Sequence, residues 1–310
     1  MAVESEEFTE LGDEFALVAE TAAEAGAAAS GRPRVRRGWV NVPAGGHVSG
    51  VFWGDGPPEV VFLHDIGESA RAWDGVALAV GRPSVAIDLP GHGRSDWRRD
   101  GRYEPGKLAS AVSEAIRSFA PRTRLVVGRG LGGRTALALG RRQPRLLPRL
   151  VLVSTLPGPA PGPAQRWPGP ERFASRADAF AVLAGRRPES SAQALRREIL
   201  YELIQDQDGS WAWRHHPGHL APVPAGVDDD ALWGELGRLG PEAALIRGDW
   251  AGPLSAADLA RLHERAPDVQ VITIPGAGAD AAATQPAALA AALDQLLTTQ
   301  AQTTEPERQR

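Results

Sequence analysis

Residues 125–133, Leu-Val-Val-Gly-Arg-Gly-Leu-Gly-Gly, constrain the fold of this chain more than any other segment. A short apolar run rich in valine is typical of a buried strand. The glycines that follow predict a tight turn, and a helix is predicted after it, from near Arg134 to about Arg142. We therefore expect a strand, a glycine turn and a helix in direct succession, which is a building block of α/β domains.

Two motifs overlap in this turn. Gly128, Gly130 and Gly132 fit the nucleophile elbow G-x-S-x-G, except that Gly130 stands where the serine belongs. Gly128, Gly130 and Gly133 also spell G-x-G-x-x-G, the dinucleotide fingerprint. That fingerprint requires an acidic residue after the next strand, whereas the strand predicted at 150–153 is followed by Ser154. The elbow is therefore the favoured interpretation, and the nucleotide site is the alternative.

Composition narrows the class of protein. The 310 residues suit one large α/β domain with an inserted cap, or two smaller domains. A net charge of −4, with Lys107 the only lysine, gives no general attraction to nucleic acid or an anionic membrane. The absence of cysteine excludes disulfides and thiolate chemistry. We predict no metal, no cofactor, no signal peptide and no membrane span, and hence a cytoplasmic protein.

The chain divides into segments by pattern. Residues 1–30 contain an amphipathic helical pattern, which either docks on the domain or forms a partner or homodimer contact. Strand-like runs and helices in residues 31–156 and 240–297 predict the α/β core. A proline-rich stretch opens a helical cap over residues 157–239, and a polar tail at 298–310 is expected to be disordered. Strands are predicted at 39–42, 48–53, 60–63, 84–87, 125–127, 150–153, 243–247 and 269–274.

Three motifs together resemble the α/β-hydrolase superfamily. They are H-D-I-G at 64–67, D-L-P-G-H-G-R-S-D at 88–96 and V-G-R-G-L-G-G at 127–133, each after a predicted strand. The resemblance covers residues 38–156 and resumes from about 243. It implies a mostly parallel sheet flanked by helices, with a helical cap after the sixth strand. It also implies an oxyanion hole formed by the backbone N–H groups of Ile66 and Leu131, with Asp65 replacing the usual glycine.

The resemblance also defines where a catalytic triad would lie. The serine position is Gly130, the acid position is Gly252 or Ser154, and the histidine position is Ala279. All of these positions lack the triad residue, which predicts a degenerate active site. His64, Asp65 and Arg129 are the remaining catalytic candidates, although His64 commonly holds the oxyanion loop in this family. The predicted substrate-binding residues are Ile66, Gly130, Leu131 and Ser154.

Three functions fit these observations. The first, which we favour at this stage, is a non-hydrolytic cyclase, isomerase or lyase that acts on an apolar small molecule of specialised metabolism. The second is a ligand-binding or scaffold pseudo-hydrolase, and the third is a hydrolase with an unrecognised constellation. Small residues at the vacated positions predict an enlarged apolar pocket beneath the cap.

Overall fold

A computed structural model describes residues 8, 12–27, 34–43, 46–158, 170–188, 190–216, 229–250, 253–278 and 280–303. Its centre is an eight-stranded sheet in the order β1-β2-β4-β3-β5-β6-β10-β11. The pairs β1/β2 and β2/β4 are antiparallel, and all other neighbours are parallel. The strands are β1 Val35–Asn41, β2 His47–Trp53, β3 Val60–Leu63, β4 Ser84–Ile87, β5 Leu125–Arg129, β6 Leu150–Val153, β7 Arg172–Phe173, β8 Leu203–Gln205, β9 Trp211–Trp213, β10 Ala243–Gly248 and β11 Gln270–Ile274.

Helices cover both faces of this sheet. One face packs against α3, α4, α7 and α8, and the other packs against α2, α9 and α10. The helices are α1 Val18–Glu24, α2 Asp74–Val80, α3 Pro105–Phe119, α4 Gly130–Arg142, α5 Arg176–Arg186, α6 Ala192–Glu202, α7 Asp229–Leu239, α8 Ala256–Arg265, α9 Ala281–Thr284 and α10 Pro286–Thr303. The predicted α/β-hydrolase fold, with its cap inserted after the sixth strand, is confirmed.

Strand β3 shows why the sheet forms where it does. All four of its residues are apolar and fully buried. Val61 and Leu63 belong to the apolar cluster on one face, while Val60 and Phe62 belong to the cluster on the other. A strand that is apolar at every position is the pattern expected for a central strand with helices on both sides. The carboxyl end of β3 delivers the segment beginning at His64 to the site described below.

Helix α4 begins at Gly130, about one turn earlier than the predicted start near Arg134. The earlier start is possible because glycines let the helix approach the sheet closely. Gly132 N donates a hydrogen bond to His64 O at 3.0 Å, and a Cβ on Gly132 would overlap Leu63 O. A Cβ on Gly128 would lie 2.6 Å from Gly133 Cα. The turn is therefore too tight for side chains at these positions.

The segment between β6 and α7 contains strands as well as helices. Helices α5 and α6 flank a three-stranded antiparallel sheet in the order β7-β9-β8. Trp211 and Trp213, two positions apart on β9, are both buried in an apolar cluster that includes Phe173 and Leu183. The sequence pattern predicted helix only, because three-residue strands are too short to show a period of two.

The amino-terminal region contacts both the core and the cap. Helix α1 is shorter than the amphipathic pattern suggested, since residues 12–17 form turns. It packs against α2, and Arg197 of α6 pairs with Glu20 and Glu24 at 3.0 and 2.5 Å. Phe8 packs into the apolar cluster of the cap.

The carboxyl-terminal helix α10 continues past residue 297, the predicted end of the core, to Thr303. Residues 298–303 contain neither proline nor glycine, so no helix-ending residue occurs at the predicted boundary. Within the part of the chain that the structure describes, no helix is long and apolar enough to cross a membrane.

Candidate active site

The β5–α4 turn presents Gly130 at the carboxyl edge of the sheet. Gly130 has a φ of +49°, a left-handed conformation that glycine adopts without steric cost. Arg129, immediately before it, is in the extended conformation. Gly130 N donates to Thr155 Oγ1 at 2.7 Å, and this bond fixes the turn to the residues that follow β6. We call residues 128–132 the elbow.

The carboxylate of Asp65 lies at the place where an elbow side chain would point. Asp65 Oδ1 accepts hydrogen bonds from Ile66 N and Leu131 N, both at 2.7 Å. A Cβ built on Gly130 would overlap the Asp65 carboxyl group. The N–H groups of Ile66 and Leu131 therefore meet at one point, and that point holds a carboxylate oxygen. The space that a glycine leaves at the elbow is filled from the neighbouring loop rather than left open.

A second group of charges lies beside the elbow. Arg129 forms ion pairs with Glu68 and Asp280, and we call these three residues the Arg129 cluster. The Arg129 side chain is 9% exposed, against 27% for Glu68 and 33% for Asp280. The sequence suggested that Arg129 could pair with Asp65, but its carboxylate partners are Glu68 and Asp280. Glu68 also accepts a hydrogen bond from Asp65 N at 3.0 Å, which links the cluster to the Asp65 loop.

Burial and repulsion change the acidity of Glu68. Burial raises the pKa of Glu68 to about 7, against the attraction of Arg129, and the negative charges of Asp65 and Asp280 add to the increase. For Arg129, burial alone would lower the pKa, but Asp280 and Glu68 outweigh it and the pKa is raised. The site therefore contains a buried cation beside a carboxyl group whose pKa is raised toward neutral pH.

His64 supports the Asp65 loop. Its ring is fully buried, with Nε2 accepting from Leu89 N at 3.0 Å, so Nδ1 carries the proton and donates to Asp65 O at 2.6 Å. Burial lowers the pKa of His64, which favours the neutral ring. Both ring nitrogens are engaged by backbone groups, so His64 serves as a positioning residue rather than as a base.

Asp88 joins the segments around the site. Its buried carboxylate accepts from Ala70 N at 2.7 Å and Arg94 N at 3.1 Å, and it pairs with Arg37 at 2.6 Å. It also accepts from the hydroxyl of Ser49. Burial alone would raise the pKa of Asp88, but Arg37 and these hydrogen bonds outweigh it and the pKa is lowered. One ionised carboxylate thus holds both the segment after the Asp65 loop and the 88–96 turn.

The remaining predicted positions have different outcomes. Ser154 is buried just after β6 with a φ of +47°, and its hydroxyl has no hydrogen-bond partner among the residues that the structure describes. Gly252 and Ala279, the predicted acid and histidine positions, lie outside the described residues. Asp249, close in sequence to the acid position, accepts from Gly276 N at 3.0 Å and so fastens the loop after β11.

A cavity of about 560 Å³ opens beside the Arg129 cluster. Its lining includes all three cluster residues, together with Arg71, Tyr201 and Glu202 from the core and α6. This described lining carries many charges and does not include Gly130, so the apolar pocket predicted beneath the cap stays a prediction. Among the described residues, no three His, Asp or Glu side chains are grouped to hold a metal ion.

Sequence reasoning missed Glu68, and it did not predict that Asp280 pairs with Arg129. Both had a detectable signal. Glu68 directly follows the H-D-I-G motif, and Asp280 directly follows the segment aligned with the family's histidine. Residues that directly follow such motifs lie near the carboxyl ends of parallel strands, where side chains from separate segments converge.

The chain belongs to the α/β-hydrolase family: the model of the Alpha/beta hydrolase family matches residues 60–292. Among its relatives is the esterase Rv0045c of Mycobacterium tuberculosis, 34% identical over 264 residues, which are 82% of this chain and 85% of the relative. The 2-(acetamidomethylene)succinate hydrolase of Mesorhizobium japonicum is 27% identical over 71% of this chain and 81% of its own. A solved structure of the M. tuberculosis esterase superposes with a TM-score of 0.81 and 32% identity, covering 93% of this chain and all of the other.

This similarity corrects the function predicted from the sequence. The preferred cyclase, isomerase or lyase, and the alternative of a non-catalytic pseudo-hydrolase with a degenerate triad, are contradicted by relatives that are esterases at 32–34% identity. The prediction rested on the vacated triad positions, and although it counted Asp65 among the candidate residues, it did not place the Asp65 carboxylate over Gly130. The structure brings a carboxylate there from a different segment.

Proposed function

We propose that this protein is an ester hydrolase in which Asp65 provides the catalytic carboxylate. The observation that carries this proposal is the position of Asp65, whose carboxyl group takes the place of an elbow side chain and is held by Ile66 N and Leu131 N. The esterases among the relatives of this chain support hydrolysis as the reaction.

Asp65 acts as a general base in the proposed reaction. Two N–H groups hold Oδ1, which leaves Oδ2 to accept a proton from a water molecule. The water oxygen bonds to the ester carbonyl carbon, and the carbonyl electron pair moves to oxygen to give a tetrahedral oxyanion. Arg129 supplies a buried positive charge near this developing negative charge.

Glu68 acts as the general acid. With a pKa of about 7, a large fraction of Glu68 is protonated at neutral pH. As the tetrahedral species collapses, the bond from carbon to the alcohol oxygen breaks and Glu68 gives its proton to that oxygen. The products are a carboxylic acid and an alcohol, and the proton held by Asp65 returns to Glu68 through solvent. The charged cavity beside the cluster favours an ester with polar substituents.

Activity without serine modification tests this assignment. We expect hydrolysis of p-nitrophenyl butyrate well above a protein blank, with turnover of roughly 1 s⁻¹ or more. A fluorophosphonate probe, which labels activated serines, should leave both the protein and its activity unchanged because Gly130 has no hydroxyl. Stoichiometric labelling with loss of activity would refute the proposal, since it would identify a serine nucleophile.

The pH dependence tests the role of Glu68. With an alkyl ester such as ethyl butyrate, whose alcohol oxygen needs a proton in order to leave, kcat should fall as the pH rises through about 7, the value to which burial raises the pKa of Glu68. Glu68→Gln cannot donate this proton, so it should lower kcat by about 10²-fold and remove the decline. Glu114→Gln, on the outer face of α3, is the matched control and should keep the wild-type profile. An unchanged profile in Glu68→Gln would exclude Glu68 as the acid.

A further inference from the structure

We propose that a second cavity, separate from the catalytic residues, binds a phosphate monoester with an aromatic or apolar body. This cavity has a volume of about 730 Å³ and lies between the amino-terminal segment, the core and the cap. It adjoins the 560 Å³ cavity, because Ser69, Arg71 and Tyr201 line both. Its lining includes Asp13 and Glu14 but none of Asp65, Glu68, Arg129 or Asp280. Among the described residues, five arginines line it: Arg37, Arg71, Arg94, Arg176 and Arg214.

The arginines of the cavity differ in how completely their charge is compensated. Glu14 pairs with Arg37 at 2.8 Å and with Arg94 at 3.0 Å, and Arg37 is further neutralised by Asp88. Arg214, in contrast, forms no ion pair with a carboxylate of the described residues, and its Nε donates to Tyr201 O at 3.2 Å. An anion in the cavity would therefore gain most from Arg214.

The surroundings of Arg214 add to this preference. Burial lowers the pKa of Arg214, the attraction of Glu202 and Asp88 opposes that effect, and repulsion from Arg94 and Arg37 reinforces it. Burial also raises the pKa of Glu202 to about 8, so this neighbouring carboxyl group is mostly neutral at pH 7. The positive charge on Arg214 is thus held without a full counter-charge, and a bound anion would stabilise it.

Arg71 offers a second, preorganised set of donors. Its side chain is only 5% exposed and pairs with Asp74 at 2.8 Å through Nη2. Among the described residues, none of its three guanidinium nitrogens has a partner with hydrogen-bond geometry, although all three are buried. The guanidinium lies 4.2 Å from the centre of the Tyr201 ring and 5.1 Å from that of Phe15, and these rings fix its plane. Buried donors without acceptors are costly, and an anion that reached them after a shift of the Arg71 side chain would satisfy them.

The arrangement favours phosphate over carboxylate. Arg71 lies on the core and Arg214 follows β9 of the cap, so their donors approach the cavity from separate elements. A tetrahedral phosphate accepts hydrogen bonds from several directions, whereas a carboxylate matches a single planar guanidinium. Trp211, Leu200 and Leu203 add an apolar wall. The complementary ligand is therefore a phosphate with an organic body.

Calorimetric titration of the full chain tests the proposal. Phenyl phosphate should bind with a Kd below about 1 mM, and benzoate, with the same ring but a carboxylate, at least about tenfold more weakly. Inorganic phosphate distinguishes the ligand source: weaker binding supports an organic phosphate, and equal binding would overturn the organic body. Asp65→Asn should bind phenyl phosphate as the wild type does, which separates this site from the catalytic one.

Two arginine variants locate the binding. Arg214→Gln and Arg71→Gln should each weaken phenyl phosphate binding by about tenfold or more. Arg172→Gln removes an exposed cap arginine that pairs with Asp206, and should bind normally. If Arg71→Gln fails to fold, Arg214→Gln decides, because Arg214 forms no ion pair with a described carboxylate. Absence of binding by the wild type, or undiminished binding by folded Arg214→Gln, would overturn the proposal.

Discussion

Asp65→Asn should lower kcat for p-nitrophenyl butyrate by about 10²- to 10⁴-fold, the range expected when a general base is lost. The amide has nearly the same shape as the carboxylate, and its oxygen can still accept from Ile66 N and Leu131 N. It cannot accept a proton from water at neutral pH. Steady-state kinetics with thermal unfolding measured in parallel will separate this chemical effect from loss of the fold.

A matched variant controls for the loss of one negative charge. Asp249→Asn changes an exposed carboxylate whose described role is to accept from Gly276 N, and it should retain kcat within about threefold. The proposed role of Asp65 fails if Asp65→Asn keeps a comparable rate. A large loss in Asp249→Asn would instead show that the assay responds to general changes of charge.

Gly130→Ala should affect both activity and stability. Its Cβ would overlap the Asp65 carboxyl group, which must then leave the N–H groups of Ile66 and Leu131. We expect kcat to fall by about 10²-fold, because the catalytic group loses its position. The left-handed backbone at Gly130 should add a loss of about 1–3 kcal/mol in the free energy of unfolding.

Gly81→Ala separates these two effects. Gly81 has a φ of +65°, but a Cβ there would meet no atom within 4 Å. This variant should be destabilised by backbone strain with its activity unchanged. If Gly130→Ala is fully active, the Asp65 carboxyl group is not required at the elbow, and the proposed mechanism is wrong.

The strands of the central sheet could be predicted from the sequence because the apolar pattern of each one is local. The strands 60–63, 84–87 and 150–153 agree with the predicted bounds, since each is a short, mainly apolar run with a clear end. The short strands β7, β8 and β9 of the cap depend on pairing between separate segments, which pattern alone does not show. The start of α4 at Gly130 depends on a close approach to β3.

The candidate site was harder to predict from the sequence because it depends on where side chains point. Sequence motifs placed Gly130, Asp65 and Arg129 near one another, yet they did not show that the Asp65 carboxylate lies over Gly130. The pairing of Arg129 with Glu68 and Asp280 joins residues up to 151 positions apart. The pKa of Glu68 follows from burial among these charges, which a linear sequence does not specify.

The buried carboxylate of Asp88 makes the active-site loops a single cooperative unit. Opening the segment at Ala70 or the turn at Arg94 removes a donor from the same ionised group, which has no water to replace it. Opening one of these two segments therefore weakens the hydrogen bond that Asp88 makes to the other. Local unfolding of one segment alone is disfavoured as a result. The loop that carries Asp65 is thus protected from local unfolding by an ion pair on the far side of β4, between Asp88 and Arg37 of the edge strand.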